Sequence, residues 1–355
     1  PALRHGVKVT GSNGKGSTAH LIAHGLAAHG LAVGLFTSPH FLEVRERLQC
    51  VSPLGRRSIS TAEFDDAIVG AEHLLRGEGA SQFEVLTVAA ALWFQDVGVD
   101  AVVWEAGIGG RLDPTRAFAC PVSTITQVAL EHTALLGETT EAIAADKAQI
   151  ATPGSVLVLG PLPTEARRAA EAAPSALTIL NFDRDPPATG LIGEHQRSNA
   201  GCASRAASEC LMAMGLSPER DKLASGFLST EVPGRFERVL QGRPEVWVDA
   251  AHNLSGLQAL ASAASAHLRG RPIVLILGVS ADRSVEAMVP AIAPIAERVI
   301  VTSARHRGAP TSRLAAACPG GATEVATAEE ALDHARTLAT ELGGVVLATG
   351  GLFMA

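Results

Sequence analysis

The sequence is poor in the residues on which several classes of protein depend. Aromatic residues make up only 4% of its 355 residues, with no tyrosine, and charged residues make up 18%. The five cysteines are scattered and form no Cys-x-x-Cys pair, which argues against a disulfide framework and against a structural zinc site. Such cysteine usage is typical of a reducing compartment, so we expect a cytoplasmic protein.

The sequence also lacks a basic excess and a long apolar run. Its formal net charge of −7 argues against a protein that coats nucleic acid, because such a surface is basic. Every apolar stretch is interrupted within about ten residues, which is too short to cross a bilayer. We therefore expect neither a nucleic-acid partner nor a membrane partner, whereas small anionic ligands stay possible.

Alanine and glycine supply much of the 47% hydrophobic content, and apolar runs alternate with amphipathic segments. Strand-then-helix repetition predicts parallel strands joined by helical crossovers, so we expect an α/β protein. The predicted strands are residues 7–10, 32–36, 101–105, 122–126, 156–159, 245–248, 273–277, 298–302 and 345–349. The predicted helices are residues 17–29, 61–76, 83–97, 139–150, 195–214, 255–268, 285–295 and 328–342.

A phosphate-binding loop is predicted where the first strand ends, at Gly11-Ser12-Asn13-Gly14-Lys15-Gly16-Ser17-Thr18. Glycines let backbone N–H groups face an anion, the following helix adds its dipole, and Lys15 adds a mobile charge. Ser17 can reach a Mg²⁺ bound to the phosphates. In the common form of this motif the first glycine would fall at Val9 and the hydroxyl at Gly16, so an ordinary strand–helix turn is the alternative.

A carboxylate, Glu105, ends another buried strand and precedes the glycines Gly107, Gly109 and Gly110. A buried lone charge is unfavourable, so Glu105 should meet a cation. We interpret it as a Mg²⁺ ligand, because the phosphate loop ends at the same edge of the predicted sheet. The alternative is a strand-end acid that is exposed to water.

Glu131-His132-Thr133 follows a third strand pattern, and Lys147 lies near the end of the next helix. A histidine in such a place is usually a structural cap or a partly buried core residue whose hydrogen bonds are satisfied. A lysine near a helix C-terminus is favourably placed as a solvated side chain. The spacing alone assigns no function to either residue.

In the second half, a strand runs into Asp249, and His252 and Asn253 precede a helix. An acid at the carboxyl edge of a strand can bind a ribose hydroxyl. Asp249 as a turn former and Asn253 as a helix cap would explain the same residues. Both interpretations stay open.

The polar segment Thr37-Ser38-Pro39-His40-Phe41 follows the second strand, with Arg45 and Arg47 close behind it. Its charges and its aromatic residue suit a substrate lid, and ordinary surface is the alternative.

Taken together, these residues resemble one family closely, the folylpolyglutamate synthase and dihydrofolate synthase branch of the Mur ligases. The resemblance covers nearly the whole chain in order. It rests on Gly11-Ser12-Asn13-Gly14-Lys15-Gly16-Ser17, Thr37-Ser38-Pro39-His40, residues 105–113, Leu130-Glu131-His132-Thr133, Lys147-Ala148, His195-Gln196 with Asn199-Ala200, Pro233-Gly234-Arg235-Phe236 and Asp249-Ala250-Ala251-His252-Asn253.

The resemblance implies two domains and one reaction. Residues 1–232 would form a P-loop-type ATPase domain with a mainly parallel sheet, and residues 233–355 a smaller Rossmann-like α/β domain that completes a ligand cleft. The reaction would be an ATP-dependent ligation of a pterin-bearing carboxylate, dihydropteroate or a folate, to L-glutamate through an acyl phosphate. Members of the family are commonly monomers.

Family roles, carried over by position, assign the site residues. ATP would contact Gly11, Ser12, Asn13, Gly14, Lys15, Gly16, Ser17, Thr18, Asn199, Arg235, Asp249 and His252. One Mg²⁺ would be held by Ser17 and Glu105. His132 and Lys147 would serve a second Mg²⁺, with Lys147 carrying a carbamate, and these two residues with Lys15 would be catalytic. The acceptor and the amino acid would meet Ser38, Pro39, His40, Phe41, Arg283 and His306.

The chain departs from the family at several positions. They are Ser12, Asp113-Pro114-Thr115-Arg116, Glu131 in place of the usual aspartate, Gln149 in place of glycine, and residues 281–284 and 306–308. One alternative is therefore a compact Mur-type ligase that acts on a non-folate acid or a different amino acid. Another is a nucleotide-binding regulatory protein without ligase activity, against which the retained Glu105, His132 and Lys147 argue.

Overall fold

The structure, a computed structural model, describes residues 2–172, 177–304 and 307–351. The chain forms two compact units, Pro1–Gly190 with Gln196–Glu231, and Leu191–His195 with Val232–Ala355. The boundary between Glu231 and Val232 falls one residue before the one that was expected between residues 232 and 233. No pattern in the sequence predicted that Leu191–His195 would group with the second unit.

The first unit is built on an eight-stranded sheet. Its strands are β1 Gly6–Thr10, β2 Val33–Phe36, β3 Leu48–Ser52, β4 Gly55–Ser58, β5 Ala101–Glu105, β6 Val122–Ile125, β7 Val156–Leu159 and β8 Thr178–Asn181. Their order in space is β4-β3-β2-β5-β1-β6-β7-β8. The six strands other than β3 and β4 run parallel to one another, and β3 pairs with β2 in the antiparallel sense. Since the carboxyl ends of parallel strands meet at one edge, the loops after β2, β5, β1 and β6 lie side by side.

Helices connect these strands. They are α1 Lys15–Ala27, α2 Thr61–Leu74, α3 Gln82–Asp96, α4 Thr133–Leu136, α5 Thr140–Ala148, α6 Thr164–Glu171, α7 Glu194–Ala213 and α8 Arg220–Leu228. Short 3₁₀ turns occupy Ala2–Arg4, Val44–Arg47 and Pro114–Ala117. Across the described ranges of both units, no helix combines the length and the apolar character that a bilayer crossing requires.

The scarce aromatic residues of the first unit are concentrated around β5. Trp104 is fully buried, and its ring stacks on Phe118 with centroids 4.0 Å apart. The rings of Phe36 and Phe94 lie 5.8 and 5.7 Å from the same indole. Burial of one such side chain contributes about 1.5–3 kcal/mol. This packing fixes the carboxyl end of β5, where Trp104 is followed by Glu105, the last residue of the strand.

The second unit has a smaller, six-stranded sheet with the order β13-β12-β11-β14-β10-β9. Its strands are β9 Glu237–Leu240, β10 Glu245–Val248, β11 Ile273–Leu277, β12 Arg298–Val301, β13 Thr323–Glu324 and β14 Val345–Thr349. Its helices are α9 Leu254–His267, α10 Val285–Ile292, α11 Thr311–Ala316 and α12 Ala328–Leu342, with a 3₁₀ turn at Ala293–Ile295. All strand pairs except β9–β10 are parallel.

The predicted fold class, an α/β protein with a mainly parallel sheet and a smaller second sheet, is confirmed, and each predicted strand is present within one residue. The prediction missed β3, β4, β8, β9 and β13. Of these, β3, β4 and β9 add antiparallel edges, and β8 and β13 pair in parallel. All residues of β4 and β9 are exposed, so these strands have no apolar alternation to be recognised. The predicted helix 285–295 is wrong in its last turn, where residues around Pro294 form a 3₁₀ turn.

Lys8 is a fully buried lysine in the middle of β1. Its Nζ donates to the carbonyl oxygen of Phe118 and to Thr152 Oγ1, both at 3.0 Å. Burial lowers the pKa of Lys8 to about 8, and the neighbouring Cys120 opposes this change. The charged form is therefore less favourable in the folded chain than in the unfolded one.

This burial predicts a pH-dependent contribution to stability. Below pH 8 Lys8 is charged in both the folded and the unfolded chain, and the whole cost of burying its charge is present. Between pH 8 and 10.5 the folded chain has released the proton while the unfolded chain still holds it, so the free energy of unfolding rises with pH. The difference in unfolding free energy between the native chain and Lys8→Met should therefore change by up to about 3 kcal/mol over that window, in favour of the native chain. Denaturant unfolding at several pH values measures it, and parallel pH profiles of the two chains would contradict it.

Candidate active site

The candidate phosphate loop, residues 11–18, joins β1 to α1. Gly14 caps α1 in the left-handed region, with φ +82°, and Lys15 Nζ donates to the carbonyl oxygen of Gly11 at 2.9 Å. The loop is bound to the segment after β6: Ser12 Oγ accepts from Ala129 N at 2.9 Å, and Thr126 Oγ1 donates to Asn13 O at 2.6 Å. These bonds hold the loop in shape without a ligand.

Two hydroxyl groups at the start of α1 are buried. Ser17 is 1% exposed, and Thr18 is completely buried. Within the residues that the structure describes, Thr18 Oγ1 has no hydrogen-bond partner. A buried polar atom of this kind is unusual in a folded protein. Together with the unpaired N–H groups that open a helix, these hydroxyls suit a bound oxyanion.

Asn199, in α7, lies against the phosphate loop. It is 8% exposed, and its Nδ2 donates to Gln196 Oε1 at 2.8 Å. A Cβ placed on Gly14 would overlap Asn199 Oδ1. The structure thus brings together two residues that are far apart in sequence and that the resemblance assigns to the nucleotide.

Glu105 lies beside the phosphate-loop strand, because Val9 of β1 is in register with it. Its side chain is only 3% exposed, which contradicts the alternative of a water-exposed acid. Its Oε2 accepts from Ser38 N at 2.9 Å. Burial lowers the pKa of Arg47, and the charge of Glu105 opposes this change. Glu105 therefore sits where the phosphate loop meets the predicted substrate loop.

The predicted substrate loop, residues 38–41, has a fixed shape. The Glu46 carboxylate accepts the backbone N–H groups of Phe41, Leu42 and Glu43 at 2.8, 3.0 and 2.8 Å. Arg47 Nε donates to His40 Nδ1 at 2.9 Å. Burial and the Arg47 charge lower the pKa of His40 and so disfavour its protonated form. This loop is organised beside Glu105 rather than loose surface.

Lys147 is 1% exposed, so its interpretation as a solvated lysine is wrong. Its Nζ donates to Glu131 Oε1 at 2.8 Å. Burial and the nearby charge of Lys15 lower the pKa of Lys147, while the charge of Glu131 opposes them. Burial raises the pKa of Glu131, but the charges of Lys147 and Lys15 outweigh this and hold it below its usual value.

Glu131 is the residue of this group that the sequence analysis did not assign to the site. The signal that could have identified it is the need of a buried lysine for a carboxylate, once the burial of Lys147 is known. His132 is exposed and caps α4 with φ 45°. In the described ranges, no group of three or more His, Cys, Asp or Glu side chains is arranged to hold a metal ion. The oxygen atoms that could bind a cation at this edge of the sheet are instead the hydroxyl of Ser17 and the carboxylates of Glu105 and Glu131.

In the second unit, Asp249 organises two loops. Its oxygens accept from Phe236 N and Ala251 N, both at 2.8 Å, and the side chain is 8% exposed. Burial raises the pKa of Asp249, and the charge of Arg235 opposes this change. His252 Nδ1 lies 3.0 Å from the carbonyl oxygen of Ala250. The turn-forming interpretation of Asp249 is thus directly supported.

The other predicted residues of this unit lie elsewhere along it. Asn253 caps α9, with Oδ1 accepting from Gly256 N at 2.8 Å. Arg283 is partly exposed in the turn after β11, where its N donates to Ser280 O at 3.1 Å. His306 lies outside the described residues.

Comparisons with known proteins agree with this geometry. Residues 234–352 match the family described as Mur ligase, glutamate ligase domain. Over 318 residues the chain is 36% identical to a Halobacterium salinarum protein named "Probable bifunctional folylpolyglutamate synthase/dihydropteroate synthase", covering 81% of this chain. Over 316 residues it is 32% identical to the folylpolyglutamate synthase of Lacticaseibacillus casei, covering 79% of this chain and 72% of that protein.

The chain belongs to the folylpolyglutamate synthase and dihydrofolate synthase family. A structure of the Mycobacterium tuberculosis folylpolyglutamate synthase, described as complexed with ADP and AMPPCP, matches it with a TM-score of 0.88 and 28% identity, covering 99% of this chain and 90% of that chain. The chain spans only 38% of the length of the Halobacterium salinarum relative.

The capping glycine of the phosphate loop offers a first test. Gly14→Ala places a side chain at a left-handed position and against Asn199 Oδ1. We expect a loss of about 1 kcal/mol of stability and at least about a tenfold loss in affinity for an ATP analogue, equivalent to about 1.4 kcal/mol. Thermal unfolding and calorimetric titration measure the two effects.

Gly30→Ala is the matched control. Gly30 also has a left-handed backbone, φ +94°, but a Cβ there has no neighbour within 4 Å. This variant should lose similar stability and keep the native affinity. Equal affinity in Gly14→Ala and the native chain would contradict the assignment of the loop.

Proposed function

We propose that this chain is an ATP-dependent amide ligase. It joins the carboxylate of a pterin-bearing acid, dihydropteroate or a folate, to the amino group of L-glutamate through an acyl phosphate. The observation that carries the proposal is the meeting of the phosphate loop, the buried Glu105 and the buried Lys147–Glu131 pair at one edge of one sheet. Family membership, and relatives named for this chemistry, support it.

The nucleotide would bind first to the phosphate loop. Backbone N–H groups of residues 11–18 and the Lys15 ammonium would hold the phosphates. Asn199, which contacts this loop, is proposed as a further nucleotide residue. Arg235, Asp249 and His252 of the second unit are proposed for the same ligand, on the resemblance alone. The M. tuberculosis relative, described with ADP and AMPPCP, supports the choice of nucleotide.

One Mg²⁺ would be held by Ser17 and Glu105. The donor set fits this ion, because a buried hydroxyl and a buried carboxylate are the hard oxygen ligands that it prefers. When bound, the ion would offset the repulsion between the phosphates and an attacking carboxylate.

A second Mg²⁺ at His132 and Lys147 requires a change in Lys147. Its ammonium cannot ligate a cation, whereas a carbamate formed with CO₂ presents anionic oxygens. The burial that lowers the pKa of Lys147 favours the neutral amine, which is the form that attacks CO₂. We therefore propose that Lys147 is carbamylated in the working protein.

The chain's own residues then have definite tasks. The acceptor carboxylate attacks the γ-phosphorus, the bond to the β-phosphate oxygen breaks, and ADP leaves. Lys15 stabilises the charge that moves onto the phosphate oxygens. The amine of glutamate next attacks the acyl carbon, inorganic phosphate leaves, and the amine loses a proton as the amide forms. Ser38, Pro39, His40 and Phe41, beside Glu105, are proposed to orient the acceptor.

The second candidate is the same chemistry on another acid or amino acid. It is motivated by residues 281–284 and 306–308, where the chain departs from the family pattern. Arg283 and His306 are the residues proposed to contact that substrate. Arg283 lies in a partly exposed turn.

A phosphate-release assay that crosses acids with amino acids tests the proposal. ADP and phosphate should form only when ATP, a pterin acid and L-glutamate are all present. The acids to compare are dihydropteroate, a folate and a simple carboxylate without a pterin. Turnover with other acids and none with pterins would select the second candidate. ATP binding without turnover under any combination would contradict ligase function.

Replacement of Lys147 provides a second test. Lys147→Ala removes the buried amine and leaves Glu131 without its cation. Catalytic groups of this kind supply about 10²–10³ in kcat, so turnover should fall at least by that factor. Lys222→Ala is the control, because Lys222 is a surface lysine paired with Glu219, and it should keep native turnover. Native activity in Lys147→Ala would remove this residue from the mechanism.

A further inference from the structure

The segment that follows Glu105, residues 107–111, is bound tightly to α5. We call it the glycine loop. Asp146 Oδ1 accepts from Gly110 N at 2.9 Å and lies 3.4 Å from Arg111 N, while Oδ2 accepts from Arg111 Nε at 3.3 Å. The Asp146 side chain is only 13% exposed. One carboxylate of α5 thus holds the end of this loop.

The loop approaches α5 so closely that only glycines fit. A Cβ on Gly109 would overlap Asp146 Oδ1, and a Cβ on Gly110 would lie 2.5 Å from the carbonyl oxygen of Lys147. Real Cβ atoms do not approach other atoms to that distance. Gly109 and Gly110 therefore serve contact with α5, a role that the sequence pattern did not predict, whereas a Cβ on Gly107 would meet the ring of Phe83.

Two other groups fix the same loop at different points. Asp113, two residues after the loop, accepts from Gly107 N through its Oδ2 at 2.8 Å. Thr10 Oγ1, at the end of the phosphate-loop strand, donates to Gly109 O at 2.6 Å. Asp146 adds the bond to α5. The glycine loop is consequently a junction between β1, β5 and α5.

The next residue of α5 is Lys147. Successive residues of a helix point about 100° apart, so Asp146 can face the glycine loop while Lys147 reaches Glu131. A shift of α5 relative to the loop would change the distance from Lys147 to Glu105. Displacements of about 1 Å in such sites lower rates by about 10²-fold.

We infer that Asp146 is a positioning residue that sets the spacing between the two proposed metal-binding regions, Glu105 and Lys147. The inference rests on the proposed function for its chemistry. It assigns Asp146 no contact with substrate or metal. Its effect is exerted through the backbone of Gly110 and through the last turn of α5, which Asp146 shares with Lys147.

The test compares three variants. Asp146→Ala removes the acceptor of Gly110 N. Asp146→Asn keeps an oxygen that can accept that bond. Arg111→Ala is the matched control, because it removes the ion pair with Asp146 and leaves the backbone bond. Thermal unfolding checks that each variant is folded.

The first readout is Mn²⁺ binding in the presence of a non-hydrolysable ATP analogue, followed by electron paramagnetic resonance of the free ion. Asp146→Ala should bind Mn²⁺ about tenfold more weakly, with Asp146→Asn close to native and Arg111→Ala native. The second readout is turnover, where Asp146→Ala should lose about 10²-fold in kcat with little change in the KM for ATP.

Each result decides the matter. Native Mn²⁺ affinity in Asp146→Ala would overturn the inference, as would an equal loss in Arg111→Ala. If Asp146→Ala does not fold, a loss of Mn²⁺ affinity of about tenfold in Asp146→Asn would overturn it, and near-native binding in Asp146→Asn would support it. Absence of turnover in the native chain with every acid and amine would defeat the proposed function alone, because Mn²⁺ binding needs no acceptor.

Discussion

The position of β1 between β5 and β6 decides where the candidate residues of the first unit lie. Parallel pairing brings three carboxyl ends to one edge, so the phosphate loop has the Glu105 loop on one side and the Glu131 loop on the other. Side-chain bonds from Ser12 and Thr10 then join the phosphate-loop region to both neighbours. The site is therefore a consequence of strand order, stabilised by short-range polar contacts between loops.

A buried ion pair distinguishes Lys147 from Lys8, another buried lysine of this unit. Lys8 and Lys147 are both buried, but Lys8 donates to neutral oxygens, whereas Lys147 faces the carboxylate of Glu131. A buried ion pair with one partner removed is strongly unfavourable, and an ion pair itself stabilises a fold little. The Lys147–Glu131 pair is thus poorly explained by stability. Its proximity to the charge of Lys15 fits a site that handles several charges at once.

The sequence allowed the central strands, most helices and the phosphate loop to be predicted, because buried parallel strands are continuous apolar runs and the loop has a local pattern. Glu105 could be predicted for the same reason, because it is a carboxylate at the end of such a run. Lys147 was assigned to the site only through the family resemblance, since a lysine near a helix C-terminus has an ordinary solvated explanation and only tertiary packing shows its burial. Asn199 was likewise assigned only through the resemblance. Glu131 and the exposed strands β4 and β9 depend on contacts between distant segments, for which a single sequence has no periodic signal.

The carboxylates of the two units divide by what they accept. Glu46, Asp113, Asp146 and Asp249 each take at least two backbone N–H groups and so fix the shape of a loop. Glu131 instead faces lysine ammonium groups. Asp249 shows why the two classes need not exclude each other: each carboxylate oxygen has two acceptor sites, so an oxygen that holds a backbone N–H can also accept a ligand hydroxyl. A loop-forming aspartate at a strand end is thereby already oriented for such a ligand, and its backbone bonds are what make that orientation rigid.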